Sequence, residues 1–162
     1  MEDHGSPALR KLLEARPEAV RETHARYGDA TALVEAGEIV PVMRLLRDAP
    51  GLDFDMLMDL TAVDYLGETP RFEVVYHLYS LKQGHRLRVK ARVPEEPAEI
   101  DTLVELWKSA DWMEREVWDL YGIRFRGHPD LRRILLYEEF EGHPLRKDYP
   151  KERRQPLVGP RN

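Results

Sequence analysis

The sequence predicts an α+β domain in which helices pack on a mixed or antiparallel sheet of about four to five strands. Three strand-like segments follow one another between residues 56 and 93 with no helix between them, which excludes a strictly alternating doubly wound fold. Segments with apolar residues at helical spacing precede and follow these strands. The predicted order is α-β-α-β-β-β-α-α, with a body at residues 1–123 and an extended, basic C-terminal docking tail at residues 124–162.

The N-terminal part predicts two helical segments around a short strand. Ser6 is a suitable N-cap and Pro7 is tolerated at the first helical position. Pro17 either interrupts this helix or restarts it. The elements predicted here are a helix from Pro7 that resumes over residues 20–27, a strand over residues 32–34 and a helix over residues 39–46.

The central part predicts three strands and two further helices. The clearest strand covers residues 85–93, because apolar residues alternate strictly with cations there. Asp101 is expected to cap a helix that contains Leu103 and Trp107. The remaining elements are strands over residues 56–65 and 72–81 and a last helix over residues 113–121.

Four cations point outward from the strand at residues 85–93, and they have two interpretations. The first is a nucleic-acid-binding face formed by Arg86, Arg88, Lys90 and Arg92. The second is a solvated sheet face on which Glu73 of the neighbouring strand pairs with these cations. Sheets that bind nucleic acid usually carry aromatic residues between the cations, and this strand has none. The sequence therefore favours the solvated face.

The composition excludes several kinds of site and indicates an uneven charge distribution. The 162 residues include no cysteine, so this chain supplies no disulfide, cysteine-bound zinc or cysteine-bound iron–sulfur cluster. No apolar run approaches the roughly 20 residues needed to span a bilayer. Residues 124–162 carry ten Lys/Arg against six Asp/Glu, whereas the whole chain has a net charge of −5. A basic tail on an acidic body indicates a tail that docks on a partner, with a solvated, disordered tail as the alternative.

The titratable residues near the C-terminus predict structural pairing rather than catalysis. Arg115 and Asp119 are four residues apart on a helix and are expected to pair on its surface. Glu114 or Glu116 is expected to be buried against an arginine of the tail, either Arg132 or Arg133. His128 and His143 both precede proline and lack a third metal ligand at a recognisable spacing, so hydrogen bonding or partner contact is expected.

Two long motifs then identify a resemblance. The string from Glu114 to Leu135, ERE-x-x-D-x-x-GI-x-F-x-GHPDLRRIL, is similar to the signature of the C subunit of respiratory complex I, the thirty-kilodalton subunit of NADH:quinone oxidoreductase. The string GHPLRKDYP at residues 142–150 continues the match. Upstream, DLTAVDY at residues 59–65 and FEVVY at residues 72–76 also resemble the family. Leu66 departs from the family, which often has proline at this position.

The resemblance implies a non-catalytic subunit in the peripheral arm of a proton-translocating enzyme on the cytoplasmic side of the bacterial inner membrane. The family packs against the large D subunit, near the quinone site and the B subunit, and reaches the membrane only through the complex. FMN, iron–sulfur clusters and quinone belong to the complex, and no catalytic, cofactor or metal site is expected on this chain. The expected structural and interface residues are Glu114, Arg115, Glu116, Asp119, His128, Pro129, Asp130, Arg132, Arg133, His143, Pro144, Arg146, Lys147 and Asp148.

Two other functions remain open at this point. One is the equivalent subunit of a related membrane-bound hydrogenase or dehydrogenase complex, which differs from complex I in its partner subunits. The other is a free-standing anion- or nucleic-acid-binding module that uses the four outward cations.

Overall fold

The computed structural model describes residues 1–156 and residue 158. Of the predicted tail, residues 124–156 and 158 are described, and residues 157 and 159–162 lie outside the described residues. The helices are α1 (Pro7–Ala15), α2 (Ile39–Asp48) and α3 (Ala110–Tyr121). The strands are β1 (Val20–His24), β2 (Thr31–Val34), β3 (Met56–Asp64), β4 (Phe72–Tyr79), β5 (Arg86–Val93), β6 (Glu99–Asp101) and β7 (Arg124–Arg126).

The main sheet has five strands in the order β1-β2-β5-β4-β3. Strands β2 and β5 are parallel, and the other neighbouring pairs are antiparallel. Successive hairpins join β3, β4 and β5, as expected for strands that follow one another without an intervening helix. The α+β class and the mixed sheet are thus confirmed.

The predicted helix over residues 20–27 is wrong. Pro17 begins a short 3₁₀ turn, Pro17–Ala19, and the chain then enters β1. The register pairs Val20 with Val34 and His24 with Thr31 of β2. This hairpin satisfies the backbone of both strands across the sheet, and that tertiary pairing overrides a weak local helical pattern.

The predicted helix that Asp101 would cap is also wrong. Residues 99–101 form β6, which pairs in parallel with β7, more than twenty residues later. The Asp101 carboxylate accepts a hydrogen bond from Arg126 Nε at 2.8 Å instead of capping a helix. Trp107 lies in the turns that follow, and its indole N–H donates to the Phe54 carbonyl oxygen at 3.2 Å. The last helix is correct in position but begins at Ala110 rather than at Met113.

One face of the sheet forms the hydrophobic core together with the three helices. The inward side chains of β4 and β5 are buried, and the fully buried Tyr76 on β4 is the largest of them. Leu9, Leu12 and Met43 of α1 and α2 complete this core. Along the chain the buried apolar residues end at Phe125, because none of the apolar residues at positions 127–156 is buried.

Candidate interaction site at the end of helix α3

The C-terminal segment folds back along α3 in two parts. Residues 128–136, called here the α3 loop, run beside the helix. Residues 143–149, called here the strap, cross its C-terminal end. Gly122 makes the reversal possible, because it ends α3 in the left-handed conformation with a φ of 76°.

Asp119 holds the α3 loop and is itself fully buried. Its Oδ1 accepts a hydrogen bond from Arg133 Nη1 at 2.6 Å. Its Oδ2 accepts from three successive backbone amides, those of Ile134, Leu135 and Leu136, at 3.2, 3.0 and 2.9 Å. Burial by itself raises the pKa of Asp119, but these donors outweigh burial and hold the pKa below its usual value. Asp119 is therefore an ionised anchor for the loop.

Arg115 holds the same loop from one helical turn earlier. Its Nε and Nη2 donate to the carbonyl oxygens of Arg132 and Arg133 at 3.1 and 3.0 Å. The predicted surface pair between Arg115 and Asp119 is therefore wrong. Both side chains are occupied by the loop, which lies over this face of the helix.

Glu114 is fully buried, but neither of the tail arginines expected beside it is its partner. Its carboxylate accepts from Thr102 Oγ1 at 2.5 Å and from the Leu103 amide at 2.7 Å. Burial raises the pKa of Glu114 to about 7. The expected burial against Arg132 or Arg133 is thus wrong for Glu114. It is also wrong for Glu116, which is exposed, and the buried partner of Arg133 is Asp119.

The strap supplies partners for the last carbonyl groups of α3, which have none within the helix. A ring nitrogen of His143, Nδ1, is hydrogen-bonded to the Asp119 carbonyl oxygen at 2.9 Å. The Leu145 amide donates to the Leu120 carbonyl oxygen at 3.0 Å, and Arg146 Nε donates to the Tyr121 carbonyl oxygen at 2.6 Å. The turn at residues 142–147, which belongs to the predicted docking tail, therefore lies against its own chain.

A second contact of the strap is built around Arg71, which the sequence reasoning missed. Arg71 is 3% exposed and forms a two-point pair with buried Asp64 at 2.8 Å for both contacts. It also pairs with Asp148 of the strap at 2.7 and 3.0 Å and with Glu95 at 2.6 Å. These hydrogen bonds, that of Asp64 first, raise the pKa of Arg71. The second oxygen of Asp64 also accepts from the Lys147 amide at 2.7 Å.

No local signal could have identified this contact. Asp64 and Arg71 flank a turn, seven residues apart, and Asp148 is 77 residues from Arg71. Only the strap brings all three together. The cluster joins the β3–β4 hairpin to the C-terminal segment.

The two histidines of the repeated Gly-His-Pro turns have structural hydrogen bonds. His128 Nε2 is bonded to the Asp111 carbonyl oxygen at 3.0 Å, and its Nδ1 accepts from the Asp130 amide at 3.0 Å. Burial lowers the pKa of His143. Within residues 1–156 and 158, no three His, Asp or Glu side chains are grouped so that they could hold a metal ion.

The remaining predicted residues lie at the outer surface of the loop and strap. Arg132 and Asp130 form an exposed ion pair at 2.8 Å. Pro129 and Lys147 are exposed, whereas Pro144 is half-buried. Large apolar side chains are exposed in the same region, namely Trp112 at 70%, Leu135 at 61% and Leu145 at 49%.

The cations of β5 have partners on their own sheet face. Lys90 Nζ lies 2.8 Å from Glu73, and Arg92 lies 3.8 Å from Glu73 and 2.5 Å from Glu68. Arg88 pairs with Asp29 at 3.4 Å, and Arg86 lies over the Tyr79 ring. The expected pairing with Glu73 is present, and three of the four cations have carboxylate partners, so the face is not a continuous cationic track.

The site therefore consists of hydrogen bonds, ion pairs and the capped end of helix α3. Its chemistry is that of holding a chain segment in place.

Among the described residues no helix combines the length and the apolar character that crossing a membrane requires.

Comparisons with known proteins match most of the chain to one family. Residues 32–155 match the family described as respiratory-chain NADH dehydrogenase, 30 Kd subunit. The NADH-quinone oxidoreductase C subunit 2 of Rhizobium meliloti (strain 1021) is 52% identical over 132 residues, which are 82% of this chain and 72% of the relative. The NADH-quinone oxidoreductase C subunit of Geotalea uraniireducens (strain Rf4) is 45% identical over 154 residues, 94% of this chain and 93% of the relative.

Two solved structures share the fold. The first is Nqo5, described as a trypsin-resistant fragment (1–134), with 36% identity, a TM-score of 0.67, and coverage of 75% of this chain and 97% of that chain. The second belongs to a membrane-bound sulfane sulfur reductase, an archaeal respiratory membrane complex, with 26% identity, a TM-score of 0.77, and coverage of 91% and 86%. With a family match over most of its length, the chain belongs to the 30 Kd subunit family of respiratory-chain NADH dehydrogenase, which is the family of the NADH-quinone oxidoreductase C subunits.

Proposed function

We propose that this chain is a non-catalytic peripheral-arm subunit of a proton-translocating NADH:quinone oxidoreductase. It packs against the large D subunit near the quinone site, with the B subunit as a neighbour. The observation that carries this proposal is the similarity to NADH-quinone oxidoreductase C subunits over nearly the whole chain, at 45–52% identity. The polar groups of the α3 site support a structural role, because Asp119, Arg115 and Arg71 are each occupied by backbone or ion-pair partners.

The cofactors belong to the complex in this proposal. FMN, iron–sulfur clusters and quinone are held by other subunits, and this chain supports electron transfer from NADH to quinone by holding its partners in position. It lies on the cytoplasmic side of the inner membrane and reaches the membrane only through the complex.

The α3 loop and the strap form the docking region in this proposal. Leu135 and Leu145 are exposed there, and Trp112, of a residue type enriched among interface hot spots, is exposed on helix α3, so a partner surface would bury apolar area. The solved Nqo5 relative is described as a trypsin-resistant fragment of residues 1–134, which supports a division between a compact body and a C-terminal docking segment.

Affinity purification of the tagged chain from its own cells tests this function. We expect the D and B subunits and the flavin- and NADH-binding subunits to co-purify, together with NADH:quinone oxidoreductase activity. Deleting the gene should abolish assembly of the peripheral arm, and the unaltered gene should restore it. Purification of the chain without any of these subunits would contradict the proposal.

A second candidate is the equivalent subunit of a related respiratory complex. The fold match to the sulfane sulfur reductase complex, with 91% of this chain covered, supports this second candidate. The same purification separates the two candidates: a D-like partner without flavin- and NADH-binding subunits would favour the second.

A further inference from the structure

We propose that the strap, residues 143–149, is an order–disorder switch: it is open in the isolated chain and closes onto Asp64, Arg71 and the end of α3 when a partner protein covers its outer face. This inference rests on the proposed function, because it assigns part of the docking region a conformational role. Its first support is the nature of the contacts that close the strap.

The closing contacts are mainly polar; in addition the Arg146 guanidinium lies over the Phe72 ring at 5.1 Å and the Tyr149 ring stacks on Phe140 at 6.1 Å. Arg146, Lys147 and Asp148 contribute hydrogen bonds and ion pairs, and the Asp148 side chain is 48% exposed. Leu145, the only aliphatic residue of the strap other than proline, is 49% exposed. Hydrogen bonds and exposed ion pairs exchange readily with water, whereas burial of apolar surface supplies most of the stability of a folded segment. The closed strap is therefore weakly held by its own contacts.

The buried charged groups of the body keep partners when the strap opens. Arg71 keeps its two-point pair with Asp64, and both of these side chains are buried within the body. Glu95 also remains on Arg71, at 2.6 Å. Opening removes only Asp148 and the Lys147 amide from this cluster and returns the carbonyl groups of residues 119–121 to water. The α3 loop stays bound, because Asp119 and Arg115 hold it independently of the strap.

The outer face of the closed strap defines the chemistry of its partner. Leu145 of the strap and Leu135 of the α3 loop are exposed, and burying them adds the apolar contribution that the strap lacks. The Lys147 side chain is exposed and makes no ion pair within the described residues. The fitting occupant is a protein surface with an apolar patch and a nearby carboxylate, which we assign to a neighbouring subunit of the proposed complex.

Hydrogen exchange on the full chain, isolated and within the purified complex, tests the switch. In the isolated chain, we expect the amides of Leu145 and Lys147 to exchange at least about tenfold faster than in the complex. The Ile134–Leu136 amides bound to Asp119 should be protected in both states. Asp148→Asn should accelerate exchange of the strap in the complex and lower the yield of assembled chain. Glu152→Gln, an equal charge change outside the closing contacts, is the matched control and should leave both unchanged.

Two results would overturn the switch. One is equal protection of the strap amides in the isolated chain and in the complex, which would make the strap a permanent part of the body or a permanently open one. The other is an Asp148→Asn variant that behaves like Glu152→Gln. Either result leaves the proposed function intact, since co-purification of the wild-type chain with its partners tests that function separately.

Discussion

Asp119 accepts four hydrogen bonds from a single segment, three from consecutive amides and one from Arg133. A buried carboxylate is costly unless its lone pairs are satisfied and its charge is paired, and both conditions hold here. The same residue binds the strap through its carbonyl oxygen, which is hydrogen-bonded to His143. Removing its charge should therefore loosen the α3 loop, whereas the bond between its carbonyl oxygen and His143 does not depend on that charge.

We expect Asp119→Asn to destabilise the fold by about 3–5 kcal/mol, because an amide cannot accept from all four donors and leaves Arg133 without its anion. Urea denaturation of the wild type and the variant measures this loss. Glu116→Gln, the same charge change three residues earlier on an exposed side chain, is the control and should shift stability by less than about 0.5 kcal/mol. Equal stability of the two variants would show that Asp119 is not the anchor.

The raised pKa of Glu114 predicts that its contribution to the free energy of unfolding decreases as the pH rises, which is opposite to the effect of most carboxylates. Its pKa is raised by burial from 4.5 to about 7, so folding favours the protonated form. Its contribution to stability is complete below pH 4.5 and is lost as the pH rises through about 7, a difference of up to about 3 kcal/mol. Glu114→Gln should remove this component. The free energies of unfolding of the wild type and of Glu114→Gln, measured between pH 5 and pH 8, should be similar at low pH and should differ at high pH. Parallel curves for the two proteins would contradict a raised pKa for Glu114.

At the scale of elements, helix α3 is completed by residues that lie more than twenty positions later in the chain. His143, Leu145 and Arg146 bind its last carbonyl groups, and they approach so closely that a side chain at Gly122 is excluded. A Cβ there would lie 2.6 Å from the His143 ring and 2.7 Å from Arg146 Nη2. The glycine is thus required both for its φ and for the space it leaves.

Substituting Gly122 and Gly67 separately distinguishes these two requirements. Both glycines have positive φ, at 76° and 93°, but no atom lies within 4 Å of a Cβ placed at Gly67. Gly67→Ala should cost about 1–2 kcal/mol from backbone strain alone. In the isolated chain, where the strap is open, Gly122→Ala should cost about the same 1–2 kcal/mol. In the complex the closed strap leaves no room for a Cβ at Gly122, so Gly122→Ala should also lower the yield of assembled chain, whereas Gly67→Ala should not. Urea denaturation and purification of the complex measure these two effects, and equal yields would mean that the strap does not press on Gly122.

At the scale of the whole molecule, the buried apolar residues among those described are concentrated in the N-terminal three quarters of the chain. Core residues extend from Ala8 to Phe125, and the apolar residues at positions 127–156 are all exposed or half-buried. Residues 127–156 are held mainly by polar contacts, with Leu131 packed on the edge of the core, so their local stability should be lower than that of residues 8–125.

Limited trypsin digestion of the isolated chain should reflect this difference. We expect the first cuts after Arg146, Lys147, Lys151, Arg153 and Arg154, and slower cutting after Arg133, whose guanidinium is bound to buried Asp119. Mass spectrometry of a time course identifies the order of the cuts. Early cleavage within the core, for example after Arg88 on β5, would contradict the division into body and segment.

Much of the fold could be predicted locally, because β5 alternates strictly and β3, β4 and β5 follow one another. The two errors arose where pairing with another strand decides the structure: β1 pairs with β2 in a hairpin, and β6 pairs with β7 about 25 residues later. Neither β1 nor β6 has a strong alternating pattern of its own. At the site, the sequence identified Arg133 and Asp119 as paired residues but assigned them the wrong partners. Arg71 was missed because nothing in its own segment indicates that a strap residue will reach it.

The sequence by itself determined the α+β class, the consecutive strands, the end of α3 at Gly122 and the resemblance to the family, since these depend on local periodicity, turn chemistry and motif identity. Only the tertiary structure decided which buried charges meet around helix α3 and the C-terminal segment. The pairs Asp119–Arg133 and Asp64–Arg71–Asp148, and the burial of Glu114 against Thr102, depend on where distant segments come to lie. A buried charge must find a partner wherever the fold provides one, and spacing along the chain does not reveal that partner.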